Sequence, residues 1–158
     1  MESFKLIKIM DEYYCMDDDI RRLLKYIAGE GKNKDREKML GHRGKGLSSN
    51  AEKAAEHIIM TQRAYGKDNK RRLYHMIISF PDNMRSKNAI KKMAENVADL
   101  FFSDFQVYYG IHTAKENWHI HFAINAVSYR TGKKWHQNKK ELADMKKRIR
   151  RLASAINV

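Results

Sequence analysis

Hydrophobic positions recur along this chain with two periods, and the switches between them outline the elements. Phe4–Met10, FKLIKIM, alternates apolar and basic residues, the pattern of a strand with one buried face. Asp17, Asp18 and Asp19 then offer an N-cap and favourable charge for a helix start. Ile20, Leu23, Leu24 and Ile27 follow at helical spacing, and Gly29 and Gly31 stop the helix. Lys32–Asn50 is polar, basic and interrupted by glycines at 41, 44 and 46, so it reads as the least structured segment, a solvated loop that could also close over a bound strand. Ser48, Ser49 or Asn50 can cap the next helix, Ala51–Tyr65.

Arg72–Phe80 carries a strong strand signal, ended by Pro81-Asp82-Asn83. Ser86 opens a helix to about Ser103, with Ile90, Met93, Ala94, Val97, Ala98 and Phe101 as its buried stripe. Phe105–His112 and Trp118–Val127 are strands joined by the short polar turn Thr113–Asn117. Asn138–Ile156 closes the pattern as an amphipathic helix with a dense Lys and Arg face. The predicted order β, α, α, β, α, β, β, α implies an α+β fold: an antiparallel sheet with helices packed on one face and the functional site on the other. One domain over residues 1–158 is expected, with 138–158 as its basic C-terminal helix.

Composition narrows the partner. The formal charge is +13, from 32 Lys and Arg against 19 Asp and Glu, and such a surface attracts polyanions, nucleic acid first. No run approaches the roughly 18 apolar residues of a spanning helix, and MESFKLIKIM lacks the apolar core of a signal peptide. A cytoplasmic monomer with no membrane partner is expected. The single cysteine, Cys15, excludes an internal disulfide and a cysteine-based zinc motif.

The chemistry concentrates in the last strand pair. Residues two apart on a strand face the same way, so His119 and His121 share a face, and the short turn brings His112 beside them. Three neutral imidazoles can hold a metal and leave positions open for water or a phosphate oxygen, which suggests a catalytic ion rather than a closed structural one. His75 shares a strand face with Ile77 and Ser79, and its role depends on which face looks at that site.

The stretch HTAKENWHIHFAINAVSYRTGKKW resembles the metal-binding third motif of conjugative relaxases, the mobilization nucleases of the HUH endonuclease superfamily. LLKYIAGEGK, with Tyr26-Ile27 ending an early helix, and His75-Met-Ile-Ile-Ser79-Phe80 are also similar to family motifs, in the family's order. The resemblance implies a site- and strand-specific endonuclease and strand transferase acting on single-stranded DNA at a transfer origin, through a covalent 5′-phosphotyrosine, in plasmid or integrative-element mobilization. It further implies bacterial origin and relaxosome partners. His112, His119 and His121 would hold a divalent metal, Mn or Mg in use, with Zn, Co or Ni possible in a purified sample.

Tyr26 matches the nucleophile position, with Tyr13, Tyr14 and His75 as alternatives. Ala114 stands where the family often has an Asp, so that supporting role is absent or passes to Glu116; Asn125 is a second supporting candidate. Arg130, Lys133, Lys134, Trp135, Lys147 and Arg148 are the candidate DNA contacts. Two other readings stay open: a non-catalytic DNA-binding domain of the same type, and a replication initiator of the same superfamily.

Overall fold

A computed structural model describes residues 6–30, 38–81, 86–113, 117–136 and 138–155. Nine elements follow in chain order: β1 (Leu6–Ile9), α1 (Asp17–Ile27), β2 (Met39–Lys45), α2 (Ala51–Ala64), β3 (Leu73–Ser79), α3 (Lys87–Phe102), β4 (Val107–His112), β5 (His119–Asn125) and α4 (Lys139–Ala155). The strands form one antiparallel sheet in the order β1-β3-β5-β4-β2, so β5, which carries the paired histidines, is its centre.

The helices begin where their caps dictate. Asn50 accepts from the Lys53 amide at 3.0 Å, Ser86 from the Ala89 amide at 3.3 Å, and Asn138 from the Glu141 amide at 2.8 Å. At α1 the cap lies one residue before the acidic run, which fills the first turn. Met16 is the cap residue, and Asp19 reaches back to the Met16 and Cys15 amides at 3.0 and 3.1 Å. Gly29, at φ +74, turns the chain out of this helix.

The expected loop Lys32–Asn50 is corrected in its second half, where β2 lies; residues 31–37 fall outside the described residues. No hydrophobic alternation announces β2, because it is an edge strand held by its backbone ladder to β4 rather than by burial. Its register shifts between Met39 and Gly41, a bulge at which Gly41 takes φ +141.

The α+β class holds, and the sheet is covered on both sides. Met76, Ile78, Tyr109, Ile111, Ile120, Phe122 and Ile124 meet α3 and the Met145, Ile149, Ala153 stripe of α4 in the larger core. On the opposite face Leu73, Tyr108 and Ala123 pack under α1 and α2, through Ile20, Leu23, Leu24, Ile27, Ala54, Ala55 and Ile58. The histidine face is therefore not bare: a helix pair covers part of it, and the histidines lie at the edge of that cover. A sequence pattern predicts that a helix buries a stripe, not which side of a sheet receives it.

Candidate active site

Strand register assembles the site. His119 lies opposite His112 on β4 and Ser79 on β3, and His121 lies opposite Gly110 and Ile77. By alternation His75 faces the same way, which answers the question its sequence position left open. Ring centres of His112 and His121 are 4.4 Å apart, those of His119 and His121 5.4 Å, and those of His112 and His119 6.5 Å.

Gly110 brings α1 onto this cluster. A Cβ at this glycine would lie 2.1 Å from the Ile27 carbonyl oxygen, so only a residue without a side chain lets the last turn of α1 sit so close. His112 Nε2 donates to that same carbonyl at 3.0 Å. The preceding residue, Tyr26, is half-buried with its ring centre 5.3 Å from both His112 and His121. An isolated glycine within an apolar strand is the sequence signal for such a close approach, and Gly110 lies outside the histidine and tyrosine motifs.

The alternatives for the nucleophile occupy different surroundings. Tyr14 is buried, and its hydroxyl lies 3.0 Å from His75 Nδ1. Burial, helped by the charge of Glu12, pushes that hydroxyl up to about 12, away from nucleophilic ionisation. Tyr14 also sits at φ +49, a left-handed conformation that costs a side-chain-bearing residue on the order of 1 kcal/mol or more. Tyr13 is exposed, with the Arg71 guanidinium 5.7 Å from its ring centre. His75 is 5% exposed and its Nε2 lies 2.9 Å from His121 Nδ1. Burial, with the charge of His112 second, pulls it down to about 4, so the ring is neutral at neutral pH and both its nitrogens are engaged.

The three histidines suit a divalent ion in kind and place. Imidazoles bound to one ion through nitrogens about 2.1 Å away have ring centres roughly 5 Å apart, within the span found here. Among the described residues no group of three or more His, Cys, Asp or Glu side chains is arranged to hold a metal ion. One nitrogen of His112 faces the Ile27 carbonyl and one nitrogen of His121 faces His75.

The supporting and DNA-contact assignments fare differently. Glu116 lies outside the described residues. Asn125 is four residues beyond His121, about 13 Å along the strand, and its amide joins Gln62 and Gln106 at 2.9 Å each. It is an architectural residue and does not support the histidines. Arg130 pairs with Asp104 at 2.8 Å, and Lys134 donates to the Arg71 carbonyl at 3.0 Å and to the Asn69 carbonyl. Trp135 packs against Tyr74, Phe101 and Phe105. These residues and exposed Lys133 follow the far end of β5, about 20 Å from His119 along the strand. Lys147 and Arg148 are exposed on α4, which packs on the opposite face. None of these six side chains therefore lies beside the histidines, because what a cationic or aromatic side chain touches in the fold depends on partners remote in sequence.

A tyrosine at a helix end thus stands over sheet-borne histidines in an α+β domain. A family model described as the nuclease domain of MobA/VirD2-like relaxases matches residues 14–158, and the chain belongs to that family. The matched region is thus the nuclease domain of a relaxase-type family. Two Staphylococcus aureus proteins, each named Protein rlx, are 29% identical to it over 102 residues, or 65% of this chain and 32% of each relative. The chain thus spans about a third of the length of these curated relatives. No helix among the described residues is long and apolar enough to cross a membrane.

Proposed function

We propose that this chain is the nicking domain of a mobilization relaxase, with Tyr26 as nucleophile and His112, His119 and His121 as the residues that hold a divalent cation, Mn or Mg. The Tyr26 oxygen attacks the scissile phosphorus of a single DNA strand at a transfer origin. An O–P bond to the tyrosine forms, the bond to the 3′ oxygen breaks, and the enzyme is left on the 5′ phosphate while the 3′ oxygen takes up a proton. The energy of the phosphodiester is kept in the phosphotyrosine, so a later 3′ hydroxyl can reverse the step and rejoin the strand.

The observation that carries this reading is the place of Tyr26, 5.3 Å from two histidine rings at once. When bound, a divalent ion polarises a phosphoryl oxygen and offsets transition-state charge. The protein's own part is positioning. Gly110 admits the α1 turn, the Ile27 carbonyl orients His112, and α1 holds Tyr26 against the cluster. An open cleft lined by Ala28, Glu30, Met39, Gly41, His42 and Asn50 adjoins that turn and offers a route for a strand.

The test is a denaturing gel after incubation with Mn²⁺ and an oligonucleotide carrying the cognate origin. Wild type is expected to yield a covalent adduct, and Tyr26→Phe and His119→Ala none. Adduct formation by Tyr26→Phe at the wild-type level would remove Tyr26 from the role. A second reading, a DNA-binding domain without nuclease activity, rests on Ala114, which stands where the family often has an Asp. It predicts tight single-strand binding with no adduct in wild type.

A further inference from the structure

The cation reading leaves His75 and Tyr14 without a role, although both are buried against the cluster. We propose that they are positioning residues, a two-residue relay that holds His121 with its proton on Nδ1 and its lone pair on Nε2. This rests on the proposal that His121 is a cation ligand, and it goes further by naming what makes that ring competent.

A neutral imidazole carries one proton and one lone pair, so the partner of one nitrogen decides the state of the other. For His112 the choice is closed. Its Nε2 faces the Ile27 carbonyl, which can only accept, so Nε2 holds the proton and Nδ1 the lone pair. For His121 the partner is another imidazole: His121 Nδ1 lies 2.9 Å from His75 Nε2, and His75 Nδ1 lies 3.0 Å from the Tyr14 hydroxyl. Two proton arrangements satisfy both contacts. If Tyr14 donates to His75, then His75 donates to His121, and His121 carries its proton on Nε2, where it cannot ligate. If His121 donates to His75, then His75 donates to the Tyr14 oxygen, and Nε2 is left with a lone pair.

Only the second arrangement serves a cation, and the relay can supply it because the Tyr14 oxygen accepts as well as donates. A phenylalanine at 14 would pack alike and lack that acceptor. The left-handed backbone at Tyr14 is consistent with a residue held in place for its hydroxyl, since its φ of +49 is one that side-chain-bearing residues rarely adopt. The Arg72 amide anchors the Tyr14 carbonyl at 3.1 Å.

The experiment uses the full chain with ¹⁵N-labelled histidine, free of metal and DNA, at a pH above the imidazole range. Ring ¹⁵N shifts report which nitrogen of His121 is protonated, and Mn²⁺ titration of the same samples reports affinity. Wild type is expected to show His121 protonated on Nδ1. In His75→Leu that preference is lost and Mn²⁺ affinity falls roughly tenfold or more, the scale typical of lost ligand-orienting contacts. His75→Gln, whose side-chain oxygen can accept from Nδ1, restores both, and Tyr14→Phe falls between. His121 protonated on Nε2 in wild type, or the same tautomer and affinity in His75→Leu as in wild type, overturns the relay. A wild type that shows the relay yet binds no Mn²⁺ refutes the cation reading instead, and the two failures are thereby told apart.

Discussion

At Gly110 one hydrogen atom decides where a helix may lie. A methyl group there meets backbone, the Ile27 carbonyl at 2.1 Å, and backbone cannot rotate away as a flexible side chain can. Gly110→Ala is therefore expected to lift the end of α1 off β4, break the bond from His112 Nε2 to Ile27, and carry Tyr26 away from both rings. Overpacking of this kind costs roughly 1 to 3 kcal/mol. Urea unfolding should show that loss, and adduct formation should fall far more than the fraction of folded protein. An adduct yield that merely tracks folding would mean the contact under α1 has no part in the chemistry.

Among the elements α1 has the most to anchor, since its last turn bears Tyr26, and its other end is tied into a buried polar chain. Arg72, 3% exposed, bonds Asp17 at 2.7 Å and Gln62 at 2.7 Å; Gln62 continues to Asn125, and Asn125 to Gln106. Burial pushes the Asp17 carboxyl up, but the hydrogen bond and charge of Arg72, with Arg63 behind it, outweigh that and hold it below the usual range. A depressed carboxyl stabilises the fold above its unfolded pKa, and the contribution is lost as pH falls through the folded value. Asp17→Asn should thus be less stable than wild type at neutral pH, with the gap closing as pH falls below the ordinary carboxylate range and through the depressed folded value. Arg72→Met should cost roughly 2 to 3 kcal/mol, less than a fully buried pair because Asp17 keeps Arg63 and some solvent. A gap that stays constant down to acid pH would show that Asp17 acts through packing rather than charge.

The formal charge of the whole molecule is +13, and exposed Lys147 and Arg148 lie on α4, on the sheet face away from the histidines, which separates general attraction from contact at the site. Affinity for a single strand should fall with salt, with a log–log slope of roughly −0.7 per phosphate neutralised. The cations of α4 lie on the side away from the histidines, so Lys147→Ala with Arg148→Ala should leave the adduct yield unchanged at saturating oligonucleotide. A yield lowered by that double change would require the strand to wrap to the α4 face. Fluorescence anisotropy against salt, read beside the gel, checks both statements.

Local pattern was enough for much of this architecture. Period-two alternation put His119 and His121 on one sheet face, and three- and four-residue spacing marked the buried stripes of α1 and α3, because both are properties of a chain segment and its own backbone geometry. His75 was brought to that face by the register of β3 against β5. β2 was invisible to that logic, since an edge strand takes its shape from the ladder β4 offers. The ends of Arg130, Lys134, Trp135 and Asn125 were likewise settled by partners that spacing cannot name. The same holds at the candidate site itself: His112 finds its acceptor 85 residues away and His121 its neighbour 46 residues away. The sequence by itself determined which side chains share a face. Only the tertiary structure decided which helix covers them, which tyrosine stands over them and which groups face His112 and His121, because those depend on contacts between segments that local periodicity does not couple.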